Sequence, residues 1–277
     1  MVLTAVLTPA LVFAALAACV LVLPLNLLGG LALVVAFGIR AAVSEHRKDA
    51  TARVVPAAEE PALHAIVERL CVVADLPRPE IVLEDERQPN SWIVDPPGRP
   101  ARLHVTRGLL HLLEPRELEA VVAHELSHVA HRDATVMTVV GLPGALLRDG
   151  SRGDTGYWWP VMVSRGIGWA IGALAGLGSN ALSRYRELTA DAGAAALTGR
   201  PSALSSALLK VSGGLARMPS ADLREVAGRD AFHLLPVERA TGRPRAFTAT
   251  HPSLERRLAA LERLEHELQR TGRALRD

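Results

Sequence analysis

The rhythm of apolar and polar positions divides this chain into unlike stretches. Met1 to Ile39 carries no charged residue and no histidine, and the first charge is Arg40. As one helix that run would be about 58 Å long, against about 30 Å of bilayer hydrocarbon. Pro24, Asn26 and the pair Gly29-Gly30 interrupt it. The pattern predicts two short membrane spans, Val2–Leu23 and Leu25–Val43, joined by a tight turn, with a single tilted span as the alternative. A signal peptide is disfavoured, because the run lacks a basic start and exceeds the usual apolar length. Arg40, Arg47, Lys48 and Arg53 follow at once. Positive charge beside a span favours the cytoplasmic side, which places the remainder of the chain there.

Beyond the apolar start, Pro56 to Leu76 repeats Leu63, Ile66, Val67, Leu70 and Val73 at helical spacing. Three short strand candidates follow, Ile81–Leu83, Pro89–Val94 and Arg102–Val105, with the turn cluster Asp95-Pro96-Pro97-Gly98 between the last two. A small sheet of this kind either packs on the helices as an ordinary hairpin or offers its edge to an extended peptide. Pro115 to His131 is a second helix, with Pro115 suited to its first turn and Glu117 and Glu119 to its positive end. Ala134–Leu147 and Tyr157–Leu182 are apolar again, separated by the polar loop Arg148–Asp154. Together 134–182 reads either as a second membrane hairpin or as a buried arm. The first piece is short for a span, and Arg165 counts against the second facing lipid. Helices are expected over Ser183–Leu197 and Pro201–Val211, and Met218–Arg245 is expected to be loop-rich. Leu254, Leu258, Leu261, Leu264 and Leu268 mark a charged amphipathic helix at the end.

Composition adjusts this picture in four ways. The 277 residues allow one sizeable domain plus membrane segments. With 49% hydrophobic but only 4% aromatic residues, the core is built from Leu, Val and Ala. A net charge of +2 is too balanced to argue for nucleic acid as a partner. Cys19 and Cys71 are far apart and imply no disulfide framework.

The chemistry centres on His124-Glu125-Leu126-Ser127-His128. On a helix, residues four apart share a face, so His124 and His128 can present two imidazoles to one metal ion. Glu125 sits beside them, where its carboxylate can reach a water held by that ion. A catalytic metal needs a third protein ligand and an open position. His131 falls on a rotated part of the helix and would crowd the site. Glu187 is the better candidate, with Asp191 one turn on and placed to orient a ligand histidine.

His124-Glu125-Leu126-Ser127-His128 combined with Ser183-Arg184-Tyr185-Arg186-Glu187-Leu188-Thr189-Ala190-Asp191 resembles the HtpX-type bacterial membrane zinc metalloproteases and their CAAX-prenyl-protease relatives. Glu117–Ala123 resembles the usual lead-in to their metal helix, and Thr250-His251-Pro252-Ser253 with Arg257 resembles their T-H-P segment. Pro89-Asn90-Ser91-Trp92 resembles their P-N-A-F segment, with Ser91 and Trp92 in place of Ala and Phe. The resemblance implies one zinc ion (Zn2+) held by His124, His128 and Glu187, with Glu125 as catalytic base and Asp191 orienting a ligand. It also implies that His251 and Arg257 approach the site, in either catalytic or structural roles, and that Asn90 lies at a substrate-strand position.

The expectation is therefore an α+β, mostly helical zincin-like metalloprotease domain over 44–277 with a small β-sheet, preceded by a transmembrane segment over 1–43. It would act as a membrane-anchored, zinc-dependent endopeptidase on membrane or misfolded proteins, in a bacterial cell membrane with its protease domain cytoplasmic. Its partners are a protein or peptide substrate and the lipid bilayer, with no nucleic acid. The alternative is a non-catalytic or narrowly specific membrane zinc protein acting as a regulator, against which an intact Glu125 argues.

Overall fold

Three strands and six helices are built over residues 53–96, 98–133, 136–137, 159–217, 234 and 251–274, which are those the computed structural model describes. The order is α1 (Pro61–Ala74), β1 (Glu80–Glu84), β2 (Ser91–Val94), β3 (Arg102–Thr106), α2 (Arg107–Leu112), α3 (Pro115–Ala130), α4 (Trp159–Thr198), α5 (Pro201–Ala216) and α6 (Leu254–Ala274). The domain is mostly helical with one small sheet, as its patterning predicts. The span or spans expected over 1–43, the polar loop 148–154 and nearly all of Met218–Arg245 lie outside the described residues.

The sheet runs β1-β3-β2, with β1 parallel and β2 antiparallel to the central β3. Leu103 and Val105 of β3 are fully buried and share a face with Ser91 and Ile93 of β2. Thr106 N–H donates to Asn90 O at 3.1 Å, which makes Asn90 and Thr106 a hydrogen-bonded pair. Antiparallel pairs alternate, so the N–H and C=O groups of Ser91 and Ile93 point away from β3. Among the described residues no strand covers that edge.

The N-terminus of α3 is tied down by Glu117. Its carboxylate accepts from Glu114 N–H (2.8 Å), from Ser206 Oγ (2.6 Å) and from Lys210 Nζ (2.8 Å). The first bond caps the helix, and the other two fasten it to α5. Further along, α3 crosses α4 closely. Ala190, Ala194 and Ala195 are buried there, and a Cβ on Gly193 would come 2.5 Å from Ser127 Oγ. Small residues let the two backbones approach, which sets Glu187 and Asp191 of α4 over the histidines of α3.

Two helices differ from expectation. Trp159–Thr198 is one continuous helix of 40 residues, with no break at Leu182. Among the described residues no helix is long and apolar enough to cross a membrane. The second difference is α2, too short at six residues to show a period, with Thr106 Oγ1 accepting from Leu109 N–H as its cap.

Burial alone would raise the Glu117 carboxyl, but the bonds from Lys210, Ser206 and the Glu114 backbone outweigh it and hold it below the usual range. A depressed carboxyl stabilises the fold above its unfolded value, and that contribution is lost as pH falls through the folded one. Glu117→Gln is expected to cost roughly 1–3 kcal/mol at pH 7. The gap to wild type should narrow below about pH 4.5, the region in which an unperturbed glutamate takes up its proton. Denaturant unfolding of both proteins at pH 7 and pH 4 checks this.

Candidate active site

The site forms where α3 and α4 cross. His124 Nε2 and His128 Nε2 are 3.2 Å apart. Glu187 Oε2 lies 3.8 Å from the first and Glu187 Oε1 3.7 Å from the second. The other ring nitrogens face carboxylates: His124 Nδ1 lies 3.0 Å from Asp191 Oδ1, and His128 Nδ1 2.6 Å from Asp133 Oδ2. A carboxylate beside each Nδ1 keeps the ring proton there and leaves both Nε2 lone pairs bare. Two lone pairs and a carboxylate thus converge, and Glu187 Oε2 is buried with no hydrogen-bond partner among the described residues. Such a set of acceptors repels itself unless a cation sits among them. The three residues together can hold a metal ion, and their two imidazoles and one carboxylate suit zinc.

Positive groups behind the site balance the carboxylates. Arg257 is fully buried, and its Nε and Nη2 donate to the two oxygens of Asp191 at 2.8 and 2.6 Å. Burial alone would raise the Asp191 carboxyl, but Arg257 and then His124 hold it below the usual range. For Glu187, burial is again outweighed, here by His251, Arg257 and His124, and the carboxyl lies well below the usual range. His251 Nδ1 stands 3.4 Å from Glu187 Oε2.

Glu125 is buried beside the histidines, and its Oε1 accepts from Ser91 Oγ at 2.8 Å. The first residue of β2 therefore touches the carboxylate expected to act as base. Asn90, one residue earlier, is buried and takes Leu234 N–H onto its Oδ1 at 3.1 Å. The expectation that Asn90 lies at a substrate-strand position meets an amide oxygen already engaged by the chain itself. Arg257, expected to approach the site, lies beside it, with Nη1 3.5 Å from Glu187 Oε2. Its guanidinium is enclosed, bound to Asp191 and, through Nη1, to Leu234 O at 2.8 Å. His131 is exposed and its Nδ1 donates to Ser127 O at 2.7 Å, away from the cluster.

Asp133 escapes sequence reasoning. It lies past the end of α3, and Arg132 adopts a left-handed φ of 52° that turns the chain back. Asp133 then reaches His128, while Arg186 Nε stands 2.7 Å from its other oxygen as an ion pair. A carboxylate five residues after the second histidine is the only sequence signal, and it gains meaning only through that turn.

The model of peptidase family M48 matches residues 57–265. The chain belongs to that family. Within it, the chain is 44% identical over 227 residues to Protease HtpX homolog 1 of Streptomyces coelicolor, covering 78% of this chain and 75% of that one. It is 40% identical over 235 residues to Protease HtpX homolog 2 of Methanosarcina acetivorans, covering 78% and 77%. This family M48 member is thus HtpX-type and a metalloendopeptidase, and its family implies a bound metal. The solved structure of S. mikatae Ste24p is similar in fold, with a TM-score of 0.51 at 16% identity over 76% of this chain and 52% of that one. The chain spans about half the length of that structure.

Asp133→Asn should lower metal affinity roughly 10- to 100-fold while leaving the far-ultraviolet circular dichroism unchanged. Competition of the purified protein against a chromogenic chelator measures it.

Proposed function

We propose that this metalloendopeptidase is a membrane-anchored zinc enzyme that hydrolyses peptide bonds of membrane or misfolded proteins. One observation carries the reading. Acceptors from buried His124 and Glu187 and from half-buried His128 converge on one point, with the Glu125 carboxylate beside them. Bound there, zinc would polarise the scissile carbonyl and acidify water.

The chain's own residues do the rest. Glu125 takes a proton from the attacking water and passes it to the leaving amine. Asp191 and Asp133 hold the two imidazoles in the orientation that bares Nε2. His251 steadies Glu187, and Arg257 acts as the buried countercharge that keeps Asp191 ionised. A peptide substrate adds to the open edge of β2, pairing with the outward N–H and C=O groups of Ser91 and Ile93. Main-chain pairing reads no side chain, which suits an enzyme acting on unfolded segments.

Membrane anchoring rests on the uncharged run Met1–Ile39, read as a hairpin, and on the basic residues after it that favour a cytoplasmic protease domain. The natural location would be a bacterial cell membrane.

Detergent-purified wild type and Glu125→Gln are compared for bound zinc and for cleavage of unfolded casein, with and without a chelator. The expected result is about one zinc in each and chelator-sensitive cleavage by the wild type alone, with turnover in the variant down by at least about 100-fold. Undiminished cleavage by Glu125→Gln would refute the assigned role.

A further inference from the structure

Ser91 and Trp92 open β2, and the pleat sends their side chains to opposite faces. Trp92 stacks on His104 of β3, with ring centroids 4.8 Å apart and planes 9° from parallel. It belongs to the face of the sheet opposite Glu125. Ser91, 2% exposed, shares its face with Val105 and donates to Glu125 Oε1 at 2.8 Å. Among the described residues no other protein group donates a hydrogen bond to the Glu125 carboxylate.

A buried hydroxyl needs a partner, and an ionised carboxylate is the strongest acceptor within its reach. The bond removes the freedom of the carboxylate to rotate about its last side-chain torsion. With Oε1 held, Oε2 is the oxygen left to accept a proton. An alanine at this position would fill the strand equally well but could not make the bond.

We propose that Ser91 is a positioning residue for the general base, its hydroxyl pinning Oε1 of Glu125 so that Oε2 faces the attacking water. The proposal rests on reading Glu125 as that base. It also ties substrate to catalyst through one residue. The main-chain groups of Ser91 face the open edge of β2, and its side chain holds the group that activates water. Trp92, turned to the other face, has no part in this.

The test uses full-length protein in detergent and one fluorogenic peptide, with wild type, Ser91→Ala, Ser91→Thr and Glu125→Gln side by side. Ser91→Ala is expected to keep its metal and its unfolding temperature, to lose about tenfold in kcat and to leave KM within about twofold. Ser91→Thr restores a hydroxyl and is expected to recover most of the lost kcat. Wild-type kcat in Ser91→Ala overturns the proposal, as does a loss confined to KM. A kcat in Ser91→Thr no better than in the alanine variant overturns it too, because the strand rather than the hydroxyl would then matter. If Ser91→Ala does not fold, the threonine variant alone decides: wild-type kcat supports the hydroxyl and a tenfold loss refutes it. Retained turnover in Glu125→Gln would instead remove the general-base reading beneath the proposal, whatever the serine variants do.

Discussion

Mutual repulsion of acceptors at one buried point is the constraint that the rest of this domain answers. His124 and His128 aim bare nitrogens at each other across 3.2 Å, with the Glu187 carboxylate alongside. Desolvated groups of one kind do not stay together unless something opposite in sign holds them. Two similar braces supply part of that opposition. His124 is backed by Asp191 and Arg257, and His128 by Asp133 and Arg186. In each, a carboxylate bridges an imidazole and a guanidinium. A metal ion bound among the three groups, as proposed, would supply the remainder.

The helices are arranged to make this possible. Gly193 and Ser127 meet where α3 and α4 cross, and a larger residue at 193 would push the helices apart. Glu187 and Arg186 are neighbours on α4, so one turn of helix delivers both a metal-ligand candidate and the clamp for Asp133. α6 delivers Arg257 from the opposite side. Glu117 fastens the start of α3 to α5, so the helix bearing both histidines is held at its N-terminus as well as at the crossing.

Much of the site was legible in the sequence because helical geometry converts spacing into direction. His124 and His128 four apart, and Glu187 and Asp191 four apart, announce two faces that can meet. The three strands were legible from β-branched runs bounded by Pro, Asn and Gly. What stayed hidden depends on contacts between distant segments or on backbone turns. Asp133 joins the site only through the left-handed residue Arg132. Ser91 could be seen to depart from a familiar segment, but the alternation of the strand decides that it, and not Trp92, faces Glu125. Arg257 could be placed near the site by its spacing from His251, but sequence cannot show that its guanidinium is enclosed against Asp191. The unbroken helix Trp159–Thr198 was obscured by its glycines, which weaken the period without ending the helix.

His124, His128 and Glu187 are proposed to share one metal ion. X-ray absorption at the zinc edge of the purified full-length protein tests it most directly. The expected first shell is nitrogen and oxygen alone at about 2.0–2.1 Å, with the outer-shell signature of two imidazoles. A shell containing sulfur at about 2.3 Å, or protein that binds no zinc at neutral pH, would contradict it.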